Sequence, residues 1–228
     1  MTSLRSSAFA KATVVRSELR GAGNCGYTLV MDFVVLSSSR GTTFQAVIDA
    51  MQSGALQAHC LGLITDREDR GCVEKARNAG IPVVIVERPA FAKATAGKQE
   101  RQEYDRKVDV AIKQMGLSPE GIVACIGWMF LFSPWFVGQW KNRILNVHPS
   151  LLPKYPGGHA VDDALQAGEG ETGMTIHWID EGLDTGKILV QKKCSIKEED
   201  TVDTLKERIQ ELEKEWYPKI LQDLETGE

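Results

Sequence analysis

Several features that define common protein classes are missing from this chain of 228 residues. Its five cysteines are odd in number and include no CxxC pair, which disfavours a disulfide framework or zinc ribbon and favours a reducing cytoplasm. The longest apolar run, GIVACIGWMFLF at 121–132, is too short to span a bilayer. Because the net charge is only −4 and no strong basic patch occurs, we expect neither nucleic acid nor a membrane as a partner.

Motifs for several kinds of chemistry are also absent. The loop Ser37–Gln45 lacks both GxGxxG and GxxxxGK[ST], so NAD and ATP receive little support. No serine or cysteine stands in a GxSxG or catalytic-cysteine motif, which disfavours an acyl-enzyme. His148, His159 and His177 are spaced by 11 and 18 residues. Because no metal-binding pattern has these spacings, we expect no metal.

Residues 1–30 differ in composition from the rest of the chain. They carry four basic residues against one acidic residue and are rich in Ser, Ala and Gly. Three interpretations are open: a transit-like peptide, an over-long start before Met31, or a disordered tail. We therefore expect a disordered or non-native extension at 1–30, then one domain at 31–228. The segment AFAKAT occurs at 8–13 and again at 90–95, where we expect an inserted surface loop or helix extension.

What the chain does contain is an alternation of apolar strands and amphipathic helices. Strands are predicted at 27–37, 60–65, 81–87, 121–127 and 143–148, and helices at 42–53, 71–79, 100–115 and from Ser133-Pro134 onward. This alternation predicts an α/β fold with a Rossmann-like, mostly parallel sheet and helices on both faces.

After Pro149 the pattern changes. A short helix is predicted near 160–167, strands at 172–180 and 186–196, and a long helix at 201–224. We expect this part to extend the sheet in antiparallel fashion. The domain then has two subregions, a phosphate-binding α/β part at 31–148 and a catalytic loop with the C-terminal part at 149–228.

Two polar residues stand at the end of the predicted fifth strand. Asn146 and His148 are two positions apart, so they point to the same face of the sheet. Pro149 ends the strand and leaves both at its carboxyl end, where open α/β sheets bind ligands. An amide donor beside an imidazole suits a reaction that develops negative charge on a carbonyl oxygen. The alternative is a polar strand end that only caps a loop.

A third candidate group lies in IDEGLDTG at 179–186. Asp184 could orient His148 and relay protons. Asp180 or Glu181 could serve instead, and Asp and Gly are also common turn formers. Position along the chain does not choose among these interpretations.

The loop Ser37–Gln45 opens the first predicted helix. Helix-start N–H groups together with Ser and Thr hydroxyls favour a phosphate, and Arg40 adds positive charge. Ordinary helix capping by Thr42 or Thr43 is the alternative.

Four segments in this order resemble the folate-dependent formyltransferases: SPWFV at 133–137, NVHPSLLPKYPG at 146–157, GMTIHW at 173–178 and DEGLDTG at 180–186. The resemblance covers residues 31–224, and YPGGHA and GMTIHW favour the branch that acts on phosphoribosylglycinamide (GAR). It implies transfer of a formyl group from 10-formyltetrahydrofolate, as co-substrate, to the primary amine of GAR in purine biosynthesis.

The resemblance also implies roles for individual residues. The catalytic group would be Asn146, His148 and Asp184. The residues that bind the phosphate and the acceptor would be Gly41, Thr42, Thr43, Arg101 and Glu213. The folate pocket would contain Met129, Phe130, Phe132, Asp180 and Glu181.

This chain departs from the family pattern at several positions. The phosphate loop, usually G-x-G-S-N, reads SRGTT at 39–43, so the asparagine amide is gone. Phe130 stands where the family usually has arginine after the folate-site methionine. An insertion at 92–99 precedes Arg101, and the loop after KYPG reads Gly158-His159-Ala160.

Other functions remain as alternatives. A formyltetrahydrofolate deformylase usually carries an N-terminal regulatory domain, which thirty residues cannot supply, and a methionyl-tRNA formyltransferase would need a basic C-terminal domain. A sugar-nucleotide formyltransferase and a noncatalytic phosphate-ligand-binding protein are also considered, although the joint presence of Asn146, His148 and Asp184 disfavours the latter. We expect a cytoplasmic monomer or homodimer that acts on small molecules.

Overall fold

The computed structural model describes residues 30–88 and 98–227. Its seven strands are β1 (Asp32–Leu36), β2 (His59–Thr65), β3 (Val83–Ile85), β4 (Ile122–Cys125), β5 (Ile144–His148), β6 (Glu171–Trp178) and β7 (Ile188–Ser195). Its six helices are α1 (Thr42–Ser53), α2 (Gly71–Asn78), α3 (Lys98–Gln114), α4 (Pro134–Gln139), α5 (Ala160–Gln166) and α6 (Val202–Thr226).

All seven strands form one sheet in the order β3-β2-β1-β4-β5-β6-β7. The pairs among β1 to β5 are parallel, whereas β6 runs antiparallel to both β5 and β7. The parallel strands β1 (DFVVL) and β4 (IVAC) are almost continuously apolar and buried, because helices cover both sides of a parallel sheet. The predicted fold class, including the antiparallel extension, is confirmed.

Two hydrophobic cores lie on opposite faces of the sheet. The first contains side chains from α1, α2, α5 and α6, with Phe33 and Val35 of β1, and we call this side the α6 face. The second contains side chains from α3 and α4, with Val34 and Leu36 of β1, and we call this side the α3 face. Alternate residues of β1 therefore enter different cores.

Local sequence signals set the helix ends. Helix α1 has the predicted bounds, and Gly54 ends it in the left-handed conformation at φ 78°, which glycine adopts without steric cost. The Ser133 side chain accepts a hydrogen bond from the Phe136 N–H (3.4 Å) and Pro134 occupies the first turn of α4, as the Ser-Pro pair predicts.

The long helix α6 covers the sheet close to β5. Leu205, Ile209 and Leu221 are fully buried, and the Tyr217 hydroxyl donates to the carbonyl of Leu145 at 3.2 Å. The apolar stripe on α6 does not extend to its first residue, since Val202 remains 36% exposed. This helix holds the strand that carries Asn146 and His148.

Strand β7 forms one edge of the sheet, and no strand of the described chain pairs with its outer side. It carries Lys192 and Lys193. The Lys192 ammonium lies 3.4 Å from the ring centroid of Trp216 on α6. The other edge is β3, which has only three residues.

Two predictions fall on residues outside the described ranges: the extension at 1–29 and the second AFAKAT copy at 90–95. In the described part of the chain, no helix combines the length and apolarity needed to cross a membrane.

Candidate active site

The carboxyl ends of β1, β4 and β5 bring three loops to one edge of the sheet. The loop after β1 is tied to the loop after β4, because the Ser38 N–H donates to the carbonyl of Gly127 at 3.1 Å. The loop after β5 begins beside them, since β4 and β5 are parallel neighbours. This edge therefore gathers the residues that the sequence analysis singled out at strand ends.

Asn146 and His148 lie on the α3 face of β5. Ile144, two residues before Asn146, belongs to the core on that face, and side chains two positions apart point the same way. On the antiparallel neighbour β6, His177 lies opposite Asn146 and Thr175 lies opposite His148. Four polar side chains thus share one small area of the sheet.

His148 is held from both ring nitrogens. Nε2 lies 2.8 Å from the carbonyl of Tyr155, which can only accept, so Nε2 carries a proton. Nδ1 lies 3.5 Å from Oδ2 of Asp184. One ring nitrogen thus faces a carbonyl and the other faces a carboxylate, and these two contacts fix the orientation of the imidazole.

Among the three acidic residues of the 179–186 loop, Asp184 is the one that faces the histidines. It has φ 54°, and its Oδ2 accepts the Gly157 N–H at 2.8 Å. The Asp180 carboxylate instead accepts from the Gly182 N–H and the Thr185 hydroxyl and holds the turn. Glu181 is exposed. The contacts therefore favour Asp184 as the partner of His148.

His177 fixes the orientation of Asn146. Its Nδ1 lies 3.0 Å from the carbonyl of Trp178, so Nδ1 carries the proton and Nε2 is an acceptor for Asn146 Nδ2 at 3.2 Å. Burial lowers the pKa of His177 below its ordinary value of 6.5, which keeps the ring neutral. Sequence reasoning considered His177 as a metal ligand and missed this role; the period of two along β6 is the signal that could have found it.

A buried network supports the loop after β5. The Thr175 hydroxyl donates to the carbonyl of Ser150 at 2.6 Å and accepts the Leu152 N–H at 3.1 Å. The Gln191 side chain donates to the carbonyl of Leu152 at 2.7 Å. These bonds fix the loop that carries the Tyr155 carbonyl, and nothing in the spacing of Thr175 and Gln191 predicts them.

The three residues of the predicted phosphate loop have different hydrogen-bonding partners. The Gly41 N–H donates to the Ser39 hydroxyl at 3.1 Å, and the Thr43 hydroxyl donates to Oε2 of Glu213 at 2.8 Å. Thr42 is half-buried, and no side chain caps the start of α1. The Thr42 hydroxyl and the first N–H groups of α1 are therefore the groups best placed to meet an anion.

Gly41 is required by the close packing of this loop. It has φ 76°, and a Cβ there would lie 2.8 Å from Cα of Cys72. Both conditions exclude a side chain.

Glu213 is buried between α6 and α1. Burial raises the pKa of its carboxyl group from 4.5 to about 7, while the Thr43 hydroxyl opposes this shift. The structure brings Glu213 together with the phosphate loop on the α6 face. Arg101 is not part of this group, because it lies on α3, on the opposite face. Burial there raises the pKa of Asp105, and the charge of Arg101 opposes the shift.

The predicted folate segment forms an aromatic wall on the α3 face. Met129 is 67% exposed, and Phe130 makes an edge contact with Trp128 at 4.9 Å. Phe132 stacks on Phe136 at 4.5 Å. At Phe130, where the family usually has arginine, the guanidinium of Arg88 lies 4.1 Å from the ring centroid.

The described residues include no group of three or more His, Cys, Asp or Glu side chains that could hold a metal ion. The fold and this site define a class: an α/β enzyme with an amide, an imidazole and a carboxylate gathered at the carboxyl ends of its central strands, groups suited to oxyanion binding and proton transfer.

The comparisons with known proteins identify the family. The formyl transferase family matches residues 31–221, so the chain belongs to the formyl transferase family. The phosphoribosylglycinamide formyltransferase of Bacillus subtilis is 33% identical over 192 residues, which cover 84% of this chain and 93% of that protein.

Other similar proteins support the same family. A trifunctional purine biosynthetic protein, adenosine-3 of Drosophila melanogaster, is 36% identical over 195 residues, 85% of this chain, and the chain spans only 14% of that protein. A solved phosphoribosylglycinamide formyltransferase from Bacillus halodurans is 36% identical with a TM-score of 0.75, covering 85% of this chain and 94% of that one. A glycinamide ribonucleotide transformylase from Symbiobacterium toebii is 32% identical with a TM-score of 0.78, covering 87% and 89%.

Proposed function

We propose that the chain transfers the formyl group of 10-formyltetrahydrofolate to the primary amine of phosphoribosylglycinamide, the step in de novo purine biosynthesis after which its relatives are named. The convergence of Asn146, His148, His177 and Asp184 on one area of the sheet carries this proposal. A formyl transfer needs an oxyanion donor and a proton relay at the same point.

Asn146 stabilises the oxyanion. The amine nitrogen attacks the formyl carbon, a C–N bond forms, and the formyl oxygen takes negative charge. One Nδ2 hydrogen of Asn146 is used by His177, and the second is left for this oxygen. Because His177 holds the amide in place, little reorientation is needed when charge develops.

His148 and Asp184 manage the protons. The attacking amine must lose a proton, and the folate nitrogen must gain one as its bond to the formyl carbon breaks. Nδ1 of His148 lies towards Asp184, so the imidazole and the carboxylate form one proton relay beside the oxyanion. Asp184 accepts the amine proton through water and passes it on towards the departing folate nitrogen.

The two substrates occupy different sides of the sheet edge. The acceptor phosphate binds at Thr42 and the first N–H groups of α1, with Glu213 close by on the α6 face. The folate lies against the aromatic wall on the α3 face, towards the 180–184 loop. Asn146 and His148 stand between these positions at the end of β5.

The test is steady-state formylation of phosphoribosylglycinamide by the wild type and by Asn146→Ala, His148→Ala and Asp184→Asn. Loss of one oxyanion donor costs about 10²–10³ in rate, so we expect kcat to fall by at least that factor in the first two variants. Asp184→Asn keeps the shape, removes the charge, and should lower kcat and change the pH profile. In the double variant His148→Ala/Asp184→Asn, the fall in kcat should be smaller than the product of the two single falls, because the residues act as a unit.

A reaction without the amine acceptor serves as control. Formyl release to water at the same rate would indicate a deformylase, and near-wild-type turnover in His148→Ala would refute the mechanism.

A further inference from the structure

The guanidinium of Arg88 lies over the Phe130 ring without an ion pair. Its Cζ atom is 4.1 Å from the ring centroid, a distance typical of a cation–π contact. Three arginines that follow β2 each pair with a carboxylate: Arg67 with Asp69, Arg70 with Asp66, and Arg77 with Glu68. Within the described ranges, no carboxylate oxygen lies within the 4.0 Å of Arg88 that defines the ion pairs found elsewhere in the chain.

The sequence that follows offers no partner for this charge. Residues 89–97 read PAFAKATAG and include neither Asp nor Glu. The ring face of Phe130 does not use up the N–H groups of the guanidinium, because these lie in the plane of the group and point outward. Within the part of the chain that the structure describes, Arg88 therefore keeps a planar set of donors available to an anion.

The position of this contact relates it to the catalytic edge. Arg88 follows β3 and Phe130 follows β4, and both strands end at the same edge of the sheet. Strands β1 and β2 lie between them, so the contact reaches across the ends of two strands. It closes the outer end of the aromatic wall on the α3 face, the face to which Asn146 and His148 point.

The wall is apolar along its length and charged at its end. Met129 and Leu131 are 67% and 57% exposed, and Phe130 is supported from the side by Trp128 and Tyr104. Large exposed apolar side chains grouped on one segment indicate a binding surface. An occupant that matches this order has flat rings followed by a carboxylate.

We propose that Arg88, held by Phe130, binds the carboxylate end of the formyl donor and so sets the donor's affinity. This rests on the proposed function. A folate consists of a pterin ring, a benzoyl group and a glutamate, in that order, so rings along the wall bring the glutamate carboxylates to the guanidinium. An arginine is suited to this role because its fork matches a carboxylate.

The experiment compares Arg88→Gln with the matched variant Arg106→Gln. Arg106 also stacks on an aromatic ring, that of Trp135 at 4.4 Å, but Trp135 makes none of the ring contacts that join the residues of the wall. With 10-formyltetrahydrofolate, Arg88→Gln should raise the donor KM about five- to tenfold, the range expected for one charge-assisted contact at a partly exposed site. Its kcat should change less than about twofold, since Arg88 does not touch the reacting atoms. Arg106→Gln should leave both constants unchanged.

A donor without the glutamate, 10-formyltetrahydropteroate, distinguishes recognition of the tail from support of the wall. Wild type and Arg88→Gln should have the same KM for this donor. Arg88→Lys should recover part of the lost affinity for the full donor, since the charge returns without the fork. An unchanged KM for the full donor in Arg88→Gln, or an equal rise for both donors, would overturn the proposal.

Binding of tetrahydrofolate measured by calorimetry separates this proposal from the proposed function. Weaker binding by Arg88→Gln than by wild type supports a role for Arg88 whether or not formylation is detected. Equal binding by the two proteins overturns it and leaves the proposed function standing. A wild type that binds no folate overturns both.

Discussion

The carboxyl group of Glu213 is buried between α1 and α6, and its ionisation opposes folding. Burial raises its pKa from 4.5 to about 7, so the folded state takes up a proton more readily than the unfolded state. Stability from this group is therefore fully present below pH 4.5 and is lost as the pH rises to about 7. A carboxyl group that lowers stability at neutral pH is expected to have a functional role, and Glu213 lies beside the phosphate loop.

We predict that Glu213→Gln stabilises the protein at pH 8 and has little effect near pH 5. The gain should reach about 3 kcal/mol at most, from the linkage of pKa to stability. Urea unfolding at both pH values measures it, with Glu211→Gln as control because Glu211 is exposed on the same helix and paired with Lys214. The same change in stability at both pH values would contradict the assigned burial of the charge. Glu213→Gln should also raise the acceptor KM.

His177 has the opposite effect on the pH dependence of stability. Because burial lowers its pKa, the stability it contributes is present above pH 6.5 and is lost as the pH falls. Protonation of Nε2 would also remove the acceptor that orients Asn146. Acidic conditions therefore affect folding and the amide position through the same residue.

At the scale of elements, the start of α1 carries two threonines with different surroundings. Thr42 is half-buried at the catalytic edge, whereas Thr43 points inward and donates to Glu213. Valine has nearly the same shape as threonine and lacks the hydroxyl, so it separates the two roles.

We predict that Thr42→Val raises the acceptor KM severalfold and leaves stability unchanged. Thr43→Val should instead lower the free energy of unfolding by about 1–3 kcal/mol at pH 8, because it leaves a buried carboxylate without its donor. Steady-state kinetics and urea unfolding of both variants check this. Identical effects of the two substitutions would show that both hydroxyls serve one purpose.

Elements with a local signal were predictable, and those set by distant neighbours were not. Helix α1 has the predicted bounds because its apolar spacing and Gly54 are both local. The strand predicted at 81–87 is shorter, Val83–Ile85, since only β2 pairs with it at the edge of the sheet. The long run IPVVIVE indicates burial but not how many residues find a partner.

The same division holds for the site. The shared face of Asn146 and His148 follows from the period of a strand. The contact of Thr43 with Glu213 joins residues 170 positions apart, and the acceptor for His148 is a backbone carbonyl, which every residue carries. Neither leaves a pattern in the sequence, although the family resemblance indicates Glu213 as a substrate residue.

For the whole molecule, the family match begins at residue 31, directly before β1. We predict that deletion of residues 1–30 shifts the melting temperature by less than about 2 °C and leaves formylation unchanged. The Met31 N–H, which donates to Glu225 on α6, is retained. Deletion of residues 1–36 is the control, since it removes β1, which pairs with both β2 and β4, and should abolish cooperative unfolding. Loss of cooperative unfolding in the shorter deletion would show that the first thirty residues belong to the fold.

The lysines of β7 bear on how copies of this protein meet in a crowded solution. An open strand edge is a template on which a second chain can add, and repeated addition leads to fibres. Strand β7 has no acidic side chain of its own. Its Lys193 pairs with Glu171 on β6, and its Lys192 lies over Trp216 without a carboxylate partner in the described chain, so two copies placed edge to edge would bring ammonium groups together. Like charges in facing positions disfavour the pairing. The sheet thus ends in a strand whose side chains work against the joining of sheets from separate copies.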